Sequence, residues 1–73
     1  MNTPVQSIAV TANGRAYSVA HGCTVADFVR ERGLEPRMVV VERNGDPLTP
    51  SALHSTRLED GDRLEVVKVV AGG

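Results

Sequence analysis

The run Leu64-Glu65-Val66-Val67-Lys68-Val69-Val70 limits what this chain can fold into more than any other stretch. β-Branched side chains crowd a helix but pack well on a pleated surface, so a run this rich in valine reads as a strand inside a sheet. Period two then sends Leu64 and Val66 to one face and Val67 and Val69 to the other. Both faces of that strand are apolar. The run passes with no linker into Ala71-Gly72-Gly73. Glycine loses the most conformational freedom on ordering, so a Gly-Gly ending adds nothing to a core. Small residues at a chain end also fit a frayed tail without a role. A backbone free of side chains, however, can enter a channel closed to any other sequence, and a tail that leaves a central strand has a fixed origin and direction. Taken as residues 70–73, the tail would reach about 13 Å beyond the strand at roughly 3.3 Å per residue. The expectation is that the reactive group is the C-terminal carboxylate.

Length and charge narrow the partners. Seventy-three residues make one small domain, 1–73, near the lower limit for a single unstapled core, and a large catalytic cleft is not expected in it. The one cysteine, Cys23, allows no internal disulfide and no multi-cysteine zinc site. Eight Lys and Arg against nine Asp and Glu give a net charge of −1, which is no footprint for nucleic acid or an anionic membrane. The start lacks the basic and apolar regions of a signal peptide, and no apolar run approaches membrane-spanning length. A cytoplasmic protein with protein partners is expected, monomeric when free, with residues 1–6 a flexible extension.

In chain order, Val5 to Ala12 reads as a strand, Asn13-Gly14 as a hairpin turn, and Arg15 to Val19 as the returning strand with Tyr17 and Val19 on one face. Thr24 is placed to cap a helix over Val25 to Arg32, with Asp27 completing a capping box. Val25, Phe28 and Val29 form its core stripe, Gly33 is the left-handed residue after its end, and Leu34 should return to touch Val29. Met38-Val39-Val40-Val41 is a third strand, apolar on both faces, and Asn44-Gly45 turns the chain again. Asp46 to Arg57, with two prolines, is a crossing that holds at most a short strand or a helical turn, anchored by Leu48, Leu53 and Leu58. Leu58-Glu59-Asp60-Gly61-Asp62 then turns into the last strand.

One helix against such a sheet covers one face and leaves the other open. If Val39 and Val41 face the helix, Met38 and Val40 face away beside Val67, and Met38, Val40, Val67 and Val69 form an apolar patch at the root of the tail. Such a patch suits partner docking, although single exposed valines are also ordinary on a surface. Other chemistry is sparse. Cys23 reads as a small buried apolar residue rather than a reactive thiol. His21 and His54 lack a third ligand at metal spacing, so no metal site is expected. Arg30, Arg32, Arg37 and Arg43 read as a solvated basic edge.

Several segments in this order resemble one family: the Asn13-Gly14 hairpin, Thr24-Val25 opening the helix, Val39-Val40-Val41-Glu42-Arg43-Asn44-Gly45, Leu58 with Asp60-Gly61-Asp62, and Val69-Val70-Ala71-Gly72-Gly73. From about residue 8 to 73 the chain resembles the ubiquitin-like β-grasp sulfur carriers, and among them the ThiS family of thiamine biosynthesis. The fold implied is α+β, a mixed four- to five-stranded sheet with one main helix on one face and a projecting C-terminal tail. The resemblance implies a protein co-substrate, not an enzyme, that binds no cofactor. An E1-like, ThiF-like adenylating enzyme would use ATP and magnesium to adenylate the Gly73 carboxylate. A cysteine desulfurase or rhodanese-like donor would supply sulfur, giving a thiocarboxylate that a ThiG-like thiazole synthase consumes. Gly72 and Gly73 would thread the channel of each partner. The family often carries an aromatic residue just before the tail, where this chain has Val69. The same tail chemistry serves carriers for molybdopterin, tRNA thiolation or other metabolites, and a ubiquitin-like modifier or plain interaction module is the reading from a different class.

Overall fold

The computed structural model describes residues 6–69. Strands β1 (Ser7–Ala12) and β2 (Arg15–Ala20) form the first hairpin, followed by helix α1 (Val25–Glu31) and a 3₁₀ turn at Pro36–Met38. Strands β3 (Val39–Arg43) and β4 (Asp46–Pro47), the short helix α2 (Ala52–Ser55) and strand β5 (Arg63–Lys68) complete the order. The sheet runs β2-β1-β5-β3-β4. The last strand therefore lies at the centre, parallel to β1 and antiparallel to β3. This arrangement, with α1 laid across one face, is the β-grasp.

Local chemistry explains the elements. Asn13 and Asn44 have φ of 52°, and the glycines after them are also left-handed, the backbone that a two-residue hairpin loop needs. Thr24 caps α1 by accepting the Asp27 N–H at 3.1 Å, while the Asp27 carboxylate accepts the Thr24 N–H at 3.2 Å. Those bonds to Thr24 hold the exposed Asp27 carboxyl below its ordinary range. At the other end Leu34 N–H donates to Val29 O and Gly33 N–H to Arg30 O, both at 2.9 Å, the paired bonds of a Schellman ending. Arg32 is thereby the cap, and the helix stops one residue short of the expected Arg32.

The core lies between α1 and one face of the sheet, built by Val10, Val19, Val25, Phe28, Val41 and Leu64. Leu53 and Leu58 close it from the crossing, and Leu48 packs at its margin. Phe28 meets Tyr17 edge to face, with ring centroids 5.3 Å apart. Cys23 is buried at the helix entrance, where burial first and then the Glu31 and Asp27 carboxylates push its thiol pKa up. That is the environment of a packing residue, not of a nucleophile.

The crossing holds both a short strand and a helical turn, β4 and α2, rather than at most one of them, and two further expectations need correction. The third strand begins at Val39 and continues to Arg43, because Pro36 opens a 3₁₀ turn and the Met38 N–H donates to Glu35 O at 2.9 Å in place of the ladder. Arg43 does not belong to a solvated basic edge. It is half-buried, with Nε donating to Asp62 Oδ2 and Nη2 to Glu59 Oε2, each at 2.9 Å.

Candidate docking surface and the root of the tail

β5 is held on both sides almost to its end. On one side it pairs with β3 from Arg43↔Leu64 to Val39↔Lys68, and Val69 N–H extends the ladder by donating to Met38 O at 2.8 Å. On the other side β1 ends at Ala12, opposite Leu64. There Asn13 takes over: its side-chain oxygen accepts the Val66 N–H at 2.8 Å and its Nδ2 donates to Val66 O at 3.0 Å. One turn residue thus replaces a missing stretch of ladder. Asn44, in the second hairpin, is the counterpart at the start of β5, accepting the Arg63 N–H at 2.9 Å through Oδ1 and donating Nδ2 to Asp62 Oδ1 at 3.0 Å. Asparagine is needed for the positive φ, and its amide is free to do this as well.

The turn ahead of β5 is fixed by Asp62, the buried charged residue of the core region. Burial alone would raise its carboxyl pKa. The Glu59 N–H, donating at 2.8 Å, together with the Arg43 guanidinium and the Asn44 amide, outweighs burial and holds it low. The same pairing raises the Arg43 pKa. Asp60 reaches β1, its Oδ1 accepting the Ala9 N–H at 2.8 Å. The sequence marks Asp60-Gly61-Asp62 only as turn chemistry. No local pattern announces that its two carboxylates tie β1, β3 and β5 together.

The face of the sheet away from α1 is open. Met38, Val40, Val67 and Val69 are its exposed large apolar side chains, with between 38% and 60% of their surface accessible. Val40 lies directly opposite Val67, and Val69 is bonded beside Met38, so the four form one patch running to the last described residue. Next along the same face Glu42 faces Glu65, two exposed like charges in direct cross-strand register. That pairing costs stability rather than adding it. Gly72 and Gly73, expected to thread a partner's channel, lie outside the described residues, as does the rest of the expected tail. Of the expected extension 1–6, only Gln6 is described; its carbonyl accepts the His21 N–H at 2.9 Å. No helix is long and apolar enough to cross a membrane among the described residues.

Known proteins resemble this arrangement closely. The model of the ThiS family matches residues 8–73. The chain is 36% identical over 50 residues to the sulfur carrier protein ThiS of Bacillus subtilis, covering 68% of this chain and 76% of that one. It is 34% identical over 61 residues to a thiazole synthase of Paramagnetospirillum magneticum, covering 84% of this chain but only 19% of that protein. The chain thus spans about a fifth of that relative's length. A crystal structure of the thiamine biosynthesis protein ThiS from Geobacter metallireducens superposes with a TM-score of 0.75 at 29% identity, over 90% of this chain and 100% of that one. With its β-grasp sheet, its central last strand and a family match that runs to Gly73, the chain belongs to the ThiS family of sulfur carrier proteins.

Proposed function

We propose that this protein carries sulfur as a thiocarboxylate on Gly73 and delivers it for thiazole formation in thiamine biosynthesis. The observation that carries this reading is the fixation of β5, by β3 as far as Val69 and by Asn13 as far as Val66, in a chain whose family match extends through Gly72 and Gly73. An α-carboxylate with a pKa near ~3.5 is ionised at neutral pH and is a poor acyl electrophile. Activation follows when one of its oxygens attacks the α-phosphorus of ATP and pyrophosphate leaves, with magnesium in the partner enzyme offsetting the charge that opposes the attack. A persulfide sulfur from a desulfurase or rhodanese-like donor then displaces AMP. A thiol cleaves the resulting S–S bond and leaves the thiocarboxylate. The chain acts as co-substrate throughout, supplying a positioned carboxylate and a docking face. A thiazole synthase as the destination is supported by the Paramagnetospirillum thiazole synthase, which contains a stretch similar to this chain.

In this reading the open apolar face docks the E1-like adenylating enzyme. Val67 is the most exposed of its four side chains, so Val67→Asp removes apolar contact without opening the core. The expected result is binding to the adenylating enzyme weakened by about 10- to 100-fold, with folding stability changed by no more than about 0.5 kcal/mol. Titration calorimetry and a urea melt measure the two. Unchanged affinity with a large loss of stability would overturn this assignment of the face.

A further inference from the structure

The opposite side of β5 carries a second feature, which meets the sheet-face patch only at Met38 and Val69. Between the end of α1, the first hairpin and β5 lies a groove of about 560 Å³. Tyr17, Phe28 and Val66 give it an apolar floor, and Arg15, Arg32 and Lys68 stand around it. None of its lining residues is acidic, although the chain as a whole has more carboxylates than cations. Arg15, Arg32 and Lys68 form no ion pair among the described residues; the paired arginines are Arg30 and Arg43. The Arg32 guanidinium lies 4.8 Å from the centroid of Tyr17 and 5.6 Å from that of Phe28, a cation over both aromatic rings of the floor. A smaller hollow of about 270 Å³ shares Leu34 and Lys68 with the groove and continues it to Met38 and Val69.

We propose that this groove binds an acidic segment of a partner protein, one in which carboxylates flank an apolar side chain. Three cations without an ion pair among the described residues, set around an aromatic and aliphatic floor, complement that chemistry. The length of the trough, continued along β5 to Val69, fits an extended segment better than a single small anion. The proposal does not depend on the fate of Gly73.

The test is titration of the full ¹⁵N-labelled chain with a short synthetic peptide in which glutamates flank a leucine. Its controls are the same peptide with glutamine for glutamate, and inorganic phosphate. The expected result is saturable amide shifts at Tyr17, Arg32, Val66 and Lys68, absent with the glutamine peptide and with phosphate. Affinity should fall about tenfold in Arg32→Gln and in Lys68→Gln, and by a similar factor when ionic strength rises from low salt to about 0.3 M. Lys68 is exposed on the sheet, so its variant keeps the test open if Arg32→Gln perturbs the fold. Shifts centred on Val40 and Val67, equal binding of the glutamine peptide, an equal response to phosphate, or no saturable response would each overturn the proposal.

Discussion

Deletion of Gly73 is expected to reduce adenylation of the chain by at least about a thousandfold while leaving its folding transition unchanged. Removing one residue withdraws the carboxylate by roughly 3.3–3.6 Å, and a misplacement of only about 1 Å can cost a reaction on the order of 100-fold. Appending one residue should do equal harm in the other direction. The fold should not register either change, because among the described residues the core ends in the chain at Leu64, with Val66 packed against it. ATP–pyrophosphate exchange with the adenylating enzyme reads the first effect, and a urea melt reads the second. Full exchange by the shortened chain would show that activation does not require the carboxylate to stand at Gly73.

The largest effect on stability is expected at Asp62. Its carboxylate accepts from Arg43, Asn44 and the Glu59 amide, and Asp62→Ala leaves Arg43 half-buried with the exposed Glu59 as its one ionic partner among the described residues. Removing one member of a buried ion pair costs about 3–5 kcal/mol. Arg43 retains some access to water, which points to the lower end, about 3 kcal/mol. For a domain this small that lowers the melting temperature by more than about 10 °C. The pH dependence has a definite sign. A carboxylate whose pKa is depressed by folding contributes its stability in full above the unfolded value of about 3.9 and loses it as pH falls towards the folded value. The wild-type chain should therefore lose stability below about pH 4, and Asp62→Asn should flatten that loss. Parallel melts of the two chains between neutral pH and pH 3 check it. Identical acid profiles would show that the ionised Asp62 adds nothing to the folded state.

Much of this architecture was legible because its signals are local. Asn13-Gly14 and Asn44-Gly45 demand two left-handed residues in a row, and both turns have them. Thr24 with Asp27, and Gly33 with Leu34, mark the ends of α1 through bonds that span only a few residues. The alternation Leu64, Val66 against Val67, Val69 separates core from open face along β5, and the accessibilities follow it. Features that depend on register across the sheet left no such trace. Arg43 and Asp62 are 19 residues apart, and Asn13 and Val66 are 53 apart, so their pairing appears only when β5 is set between β1 and β3. Arginine in a polar-looking sequence reads as solvated, and nothing near Arg43 in the chain points to its half-buried pairing with Asp62. The groove has the same origin. Arg15, Arg32 and Lys68 come from a hairpin, a helix cap and a strand end, and their gathering around Tyr17 and Phe28 is a product of topology. Both hairpin asparagines had a visible reason to be there, and that reason hid the second one.

The central claim is that Gly73 is a carrier of sulfur, and it is tested most directly by intact-protein mass spectrometry of the chain isolated, without alkylation, from cells that are making thiamine. The isolated chain should contain a population heavier by the difference between one sulfur and one oxygen, with fragmentation placing the increment on Gly73. A chain that stays at its unmodified mass under those conditions, or an increment that maps to Cys23, would contradict it.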